Sequence, residues 1–352
     1  MRLDLTARAR IRAGRRFARL AFGIPSVYGR LRDLRRADLA RGLDPDVAVM
    51  LAAGELIGQT AAVAKTPAFE RREMAISIGM ADEAPLGAVD VRDLRVPGAA
   101  DMLEARLYAP RDLPAPSPGL VFVHGGGWVT GDLDTHDGLC RRLALTGRLR
   151  VLAVAPRLAP EHPFPAPVDD SVAAFRYVAG RARELGFDPA RLGIGGDSAG
   201  GNLSAVVGLE TRADVIRPKL TALLYPALDA TCSQPSHRTN GRGYFLTEAS
   251  IRWYLRHYLG DDPRLPTDPR VSPFHAPDLR GAPEALVVVA GFDPLLDEGL
   301  RYAERLEEAG TRVTTMRFDA LPHGFALMTR LSRASLSATT AIAERTGELL
   351  RA

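Results

Sequence analysis

Leu192-Gly193-Ile194-Gly195-Gly196-Asp197-Ser198-Ala199-Gly200 passes from an apolar run into a serine flanked by glycines, and a helical stretch begins near Gly201. This is the strand–turn–helix setting of a nucleophile elbow. Such a turn strains the serine backbone and leaves little room beside it, and glycines two before and two after it admit close approach of neighbouring chain. It also aims the first amides of the following helix at whatever negative charge develops there. A dinucleotide or phosphate loop fits less well. Gly193 and Gly195 are followed at the third further position by Ser198, not glycine, and no Gly-Lys-Ser/Thr is present.

Outward from this stretch, short apolar runs alternate with amphipathic ones. Strands are expected at Ala105–Tyr108, Gly119–Val123, Val151–Ala155, Leu192–Gly195, Leu220–Tyr225, Ala285–Ala290 and Arg312–Phe318. Helices are expected over Asp169–Leu185, Leu203–Thr211, Pro294–Ala309 and Phe325–Leu350. Several strand runs are apolar throughout, as strands covered on both faces are. The alternation predicts an α/β fold with a mostly parallel central sheet flanked by helices. Two segments interrupt it. Residues 1–75 read as helices, including Asp46–Val63, and residues 230–283 carry the helical run Thr247–Tyr258 among Pro-, Gly- and Asp-rich loops. Together they are expected to form a helical cap over the sheet edge where ligands bind in open α/β folds. The catalytic body is then 76–229 with 284–352, and 230–283 is an insertion.

A second signal, His124-Gly125-Gly126-Gly127-Trp128, follows the strand run Gly119–Val123. Consecutive glycines at a strand end leave backbone amides open to a developing oxyanion. His124 is expected to hold this loop by hydrogen bonding, not to transfer protons. A serine hydroxyl needs a base, and the base an orienting acid. In sheet-based hydrolases with this elbow the order is nucleophile, acid, base. Asp293 follows the strand run Ala285–Ala290, with Asp297 one turn on as the alternative acid. Asp293 also reads as an N-cap, since Pro294 suits a first helical position. His323 follows the last strand run; of the other histidines beyond Ser198, His237 and His275 fall in cap loops and His257 in the cap helix. No His-Glu-x-x-His spacing occurs, so no metal is expected.

The formal charge of +4 is uneven. Residues 1–41 hold twelve arginines against three aspartates, leaving −5 for the remainder. A nucleic-acid interface would need that charge spread over a face with aromatics to stack on, and the body offers none. Arginines interleaved with Ile11, Phe17, Leu20 and Phe22 read either as an amphipathic helix touching anionic lipid or as a solvated basic helix covering the body. Cys140 and Cys232 are too few for a disulfide scaffold, which points to a reducing, cytoplasmic setting. No apolar run is long enough to span a bilayer, and none follows the basic start as a signal core would.

Taken together, these motifs resemble the hormone-sensitive-lipase-like esterases, the bacterial family IV group of α/β-hydrolases, in their Gly-Asp-Ser-Ala-Gly subgroup. Arg157-Leu-Ala-Pro-Glu-His-Pro-Phe-Pro165, Tyr225-Pro226-Ala227-Leu228-Asp229 and Gly243-Tyr-Phe-Leu-Thr247 look like further landmarks. The likeness runs from about Ala105 to the C-terminus; Ala155-Pro156 departs from it, standing where the family usually has Asp-Tyr. The resemblance implies an α/β-hydrolase fold and a serine carboxylesterase acting on short- to medium-chain esters. It implies Ser198 as nucleophile, Asp293 as acid, His323 as base, and Gly126, Gly127 and Ala199 as oxyanion donors, with Gly125 an alternative. Trp128, Tyr244 and Phe245, with Trp253 and Tyr254, are expected near the substrate pocket, some of them simply packing the cap. No cofactor is expected. The partner is a small-molecule ester, with no nucleic acid and no stable membrane insertion; a homodimer is left open. An amide or peptide hydrolase with the same triad, or a non-catalytic ligand-binding protein on the same fold, are the alternatives.

Overall fold

A computed structural model describes residues 4–56, 66–82 and 87–352. The chain begins with helices α1 (Leu5–Gly23), α2 (Pro25–Asp33), α3 (Arg36–Ala40), α4 (Pro45–Leu56) and α5 (Pro67–Ala81). Strands β1 (Val89–Pro97), β2 (Met102–Pro110) and β3 (Ser117–Val123) follow, then α6 (Asp137–Gly147), β4 (Arg150–Ala155), α7 (Ala166–Gly180), β5 (Phe187–Asp197), α8 (Ala199–Glu210) and β6 (Leu220–Leu224). The insertion holds α9 (Ser236–Thr239) and α10 (Glu248–Leu259), and β7 (Glu284–Phe292), α11 (Leu296–Glu308), β8 (Val313–Pro322) and α12 (Arg333–Arg351) complete the chain.

The described residues form one eight-stranded sheet in the order β1-β2-β4-β3-β5-β6-β7-β8. β1, β2 and β4 pair antiparallel, and every other neighbour is parallel. All seven residues of β3 are buried, which is why that run is apolar without alternation. Its two faces feed separate clusters. Leu120 and Phe122 pack with α6 and α12 residues such as Leu143 and Ile342, whereas Val121 and Val123 pack with Phe175 of α7 and Leu203 of α8. At the head of α7, Asp170 is buried and takes a two-pronged ion pair from Arg157, at 2.8 and 2.9 Å, plus the Arg157 and Ala99 amides. Removing one partner of such a buried pair costs about 3–5 kcal/mol. This clamp holds the chain directly after Ala155-Pro156.

The expected strands all form, and the differences lie at edges and boundaries. β1 is absent from the expected strands: Val89-Asp90-Val91-Arg92-Asp93-Leu94-Arg95-Val96 is an edge strand whose polar content reads as loop. α6 is likewise an addition. The expected helix over 325–350 breaks into a short turn at Phe325–Leu327 and then α12, because the Ser332 side chain accepts the Ser335 amide and caps a new start. The expected helix from Pro294 begins at Leu296, because Asp293 Oδ1 accepts the Leu295 amide at 2.8 Å and holds a turn before the helix. The N-terminal helical segment reaches Ala81, so the expected boundary at residue 75 falls inside α5, whose Ala75 and Ile76 are buried. Residues 57–63 of the helix expected over Asp46–Val63 lie outside the described residues.

Candidate active site

Four strands end where the chemistry-bearing residues begin. His124 follows β3, Ser198 follows β5, Asp293 follows β7 and His323 follows β8. The parallel order therefore gathers all four at one sheet edge, the crevice expected outside the carboxyl ends of the strands.

At the elbow, Ser198 has φ 54° and ψ −119°, a left-handed conformation that a serine adopts only under constraint. Its amide donates to Leu224 O at 2.8 Å, and its carbonyl accepts from Asn202 and Ala227, so the turn is pinned on both sides. The glycines are required by contact: a Cβ at Gly196 would meet Val123 O at 2.3 Å, and one at Gly200 would meet it at 2.0 Å. Ser198 Oγ lies 3.0 Å from His323 Nε2, and His323 Nδ1 lies 2.8 Å from Asp293 Oδ2. Asp293 is buried, and Asn240 donates to its carbonyl at 3.2 Å. The imidazole thus carries its proton on Nδ1 toward the carboxylate and presents a lone pair to the serine. Asp297 does not reach this chain. Its Oδ2 accepts the Ser236 amide at 2.8 Å and ties α11 to the insertion.

The glycine loop is held by the elbow itself. Asp197 Oδ1 accepts the Gly125 amide at 2.8 Å and lies 3.2 Å from His136 Nε2. Gly125 is therefore committed, whereas the Gly126 and Gly127 amides make no hydrogen bond among the described residues. Thr130 closes the loop by donating from both its amide and its hydroxyl to Gly126 O, each at 2.8 Å. Ala199 opens α8, so its amide has no partner within the helix. The Asp197 link runs from a motif residue that the sequence shows but to which spacing assigns no role. Tyr225 is a further residue of this kind, its ring 4.9 Å edge-on to that of His323.

His124 sits where the sequence places it, with Nδ1 donating to Gly125 O at 2.9 Å. Burial, and then the neighbouring His136, push its imidazole down to about 4. An unfolded chain takes up that proton near 6.5, so between those values the unfolded state binds more protons. Stability is then full above about 6.5 and is lost as pH falls towards 4. Urea unfolding of the wild type should show that loss, and His124→Gln should show a shallower one. An equal slope in both would remove His124 as its source.

A family model described as alpha/beta hydrolase fold matches residues 120–327. The chain belongs to the α/β-hydrolase family. It is 42% identical to the carboxylic ester hydrolase LipN of Mycobacterium tuberculosis over 90% of this chain and 86% of that one. It is 36% identical to an ethyl acetate hydrolase of Pseudomonas putida, covering 81% of this chain and 92% of that one. A solved α/β-hydrolase enzyme from the metagenome of Lake Arreo superposes with a TM-score of 0.83 at 38% identity, over 87% of this chain and 98% of the other. The resemblance to family IV esterases is borne out at this level.

Within this α/β-hydrolase, a cavity of about 700 Å³ opens onto Ser198 and His323. Trp128, Tyr244, Phe245, Trp253 and Tyr254 all line it, together with Met50 and Leu51 of α4 and Met74 and Ile78 of α5. Their roles differ. Trp128 stacks on Tyr258 with centroids 4.5 Å apart and planes 2° apart, and its Nε1 donates to Asn202 at 3.3 Å. Tyr244 is tied to the N-terminal helices, accepting from Arg41 at 2.8 Å and donating to Asp38 at 2.5 Å. Phe245 is 42% exposed at the mouth. The contributions of α4 and α5 carry no motif and are invisible to spacing. In the cavity wall itself, His237 and Glu298 form a buried pair at 2.7 Å. Burial alone would lower the imidazole, but contacts with Cys232 and Glu298 push it up to about 10. Among the described residues no group of three or more His, Cys, Asp or Glu is placed to hold a metal, and no helix is long and apolar enough to cross a membrane.

Proposed function

We propose that this α/β-hydrolase is a serine carboxylesterase that hydrolyses short- to medium-chain esters through an acyl-enzyme. The observation carrying the reading is the unbroken hydrogen-bond chain from Ser198 Oγ through His323 to Asp293. His323 takes the serine proton as Oγ attacks the ester carbonyl, and Asp293 holds the imidazole tautomer and stabilises the imidazolium. The Gly126, Gly127 and Ala199 amides receive the oxyanion. His323 then protonates the leaving alcohol, and water, activated by the same imidazole, releases the acid.

Helices α1, α4 and α5 and the 230–283 insertion line the cavity together, which supports their reading as one cap. A cavity walled in this way receives a short acyl chain more readily than a long one. Initial rates on 4-nitrophenyl esters from acetate to palmitate test this: kcat/KM should peak between roughly two and eight carbons and fall at palmitate. Rates indifferent to chain length overturn the cap reading.

A further inference from the structure

The outer face of α1 carries a surface that neither the sheet nor the pocket explains. The helix packs on its neighbours through small residues: Ala7 and Ala21 are buried, Ala21 among Leu31 of α2 and Val49 and Ala52 of α4, and a Cβ at Gly14 would run into Met80 of α5. Arginines turned towards the body have partners. Arg10 pairs with Glu73, and Arg15 donates to Gly79 O at 2.9 Å. The outward face is different. Arg8, Arg12, Arg16 and Arg19 fall along one row, and their guanidinium groups are exposed with no hydrogen bond or ion pair among the described residues. Beside them runs an apolar row of Phe17, Leu20 and Ile24, exposed by 43%, 56% and 40%. α1 contains no acidic residue to neutralise the basic row.

The apolar row runs into the mouth of the cavity. Phe17 is exposed on the outer face and also lines the cavity that holds Ser198 and His323; Phe245 does the same from the insertion. A basic row beside an apolar row on an exposed helix suits the headgroup–acyl boundary of an anionic bilayer. A nucleic acid would satisfy the arginines but leave Leu20 and Ile24 in water. We propose that α1 docks this protein on an anionic lipid surface. The four arginines lie on the headgroups, Phe17, Leu20 and Ile24 enter the boundary, and the cavity mouth faces the lipid.

Co-sedimentation of the full chain tests the proposal, with vesicles of equimolar phosphatidylglycerol and phosphatidylcholine compared against phosphatidylcholine alone. Binding is read independently of ester hydrolysis. The wild type should sediment with the anionic vesicles only. At roughly fivefold per arginine, R8Q/R12Q/R16Q/R19Q should bind them several hundredfold more weakly. Removing the apolar row with L20S/I24S should weaken binding about tenfold or more. None of these six residues lines the cavity, so both variants should keep wild-type rates on 4-nitrophenyl acetate. Equal binding to both vesicles, undiminished binding by either variant, or binding of duplex DNA with no vesicle binding would overturn it.

Discussion

Ser198→Ala should lower kcat for ester hydrolysis by about 10⁶-fold, the loss seen when the nucleophile of a comparable triad is removed. The size follows from the geometry. Ser198 Oγ stands at the sheet edge, 3.0 Å from the only base that the hydrogen-bond chain supplies, and without it that base has no proton to take. His323→Ala should cost a similar factor, and the double variant little more, because the two groups act as a unit. The backbone that positions Ser198 is held by its own amide and carbonyl, not by Oγ, so the variant should keep its circular dichroism and melting temperature. Turnover above about one per cent of wild type in either single variant contradicts the assignment.

Asp293→Asn is the second large effect, about 10⁴-fold in kcat with the fold intact. An amide at this position can turn its NH₂ towards His323 Nδ1, which then lacks the proton orientation that aims a lone pair at Ser198. Asp293 Oδ2 lies 2.8 Å from Nδ1, and Oδ1 is held by the Leu295 amide, so the carboxylate has one orientation. Asp297→Asn provides the control. Its carboxylate binds the Ser236 amide, and the change should loosen the insertion with at most a modest effect on kcat. A 10⁴-fold loss in Asp297→Asn with Asp293→Asn nearly active would move the acid one turn along the chain.

The sheet and the residues at its edge were legible because local chemistry dictates them. β3 and the end of β5 are apolar throughout because helices cover both faces, and Gly196 and Gly200 stand where no Cβ fits. Ser198 and His323 were readable from motif and order, since each follows a strand, whereas order left both Asp293 and Asp297 open as the acid, and only the contact with His323 Nδ1 separates them. The rest was hidden for physical reasons. β1 is a polar edge strand in which only Val89 and Val96 are buried, so its composition reads as loop although it pairs with the next strand. The commitment of the Gly125 amide to Asp197 depends on a contact across 72 residues, which spacing does not encode. The cavity walls from α4 and α5 arise from how helices dock, not from a motif; Arg71, for example, fixes α5 to the loops after β3 and β4 by donating to Val129 O at 2.7 Å and Ala159 O at 2.9 Å.

The central claim is that Ser198 is the atom acylated in each turnover. Incubation with a fluorophosphonate, followed by intact-protein and peptide mass spectrometry, tests it most directly. The account predicts one adduct per chain, located on Ser198, forming in step with loss of esterase activity and absent from Ser198→Ala. An adduct on a different residue, or full inactivation with Ser198 unmodified, would contradict it.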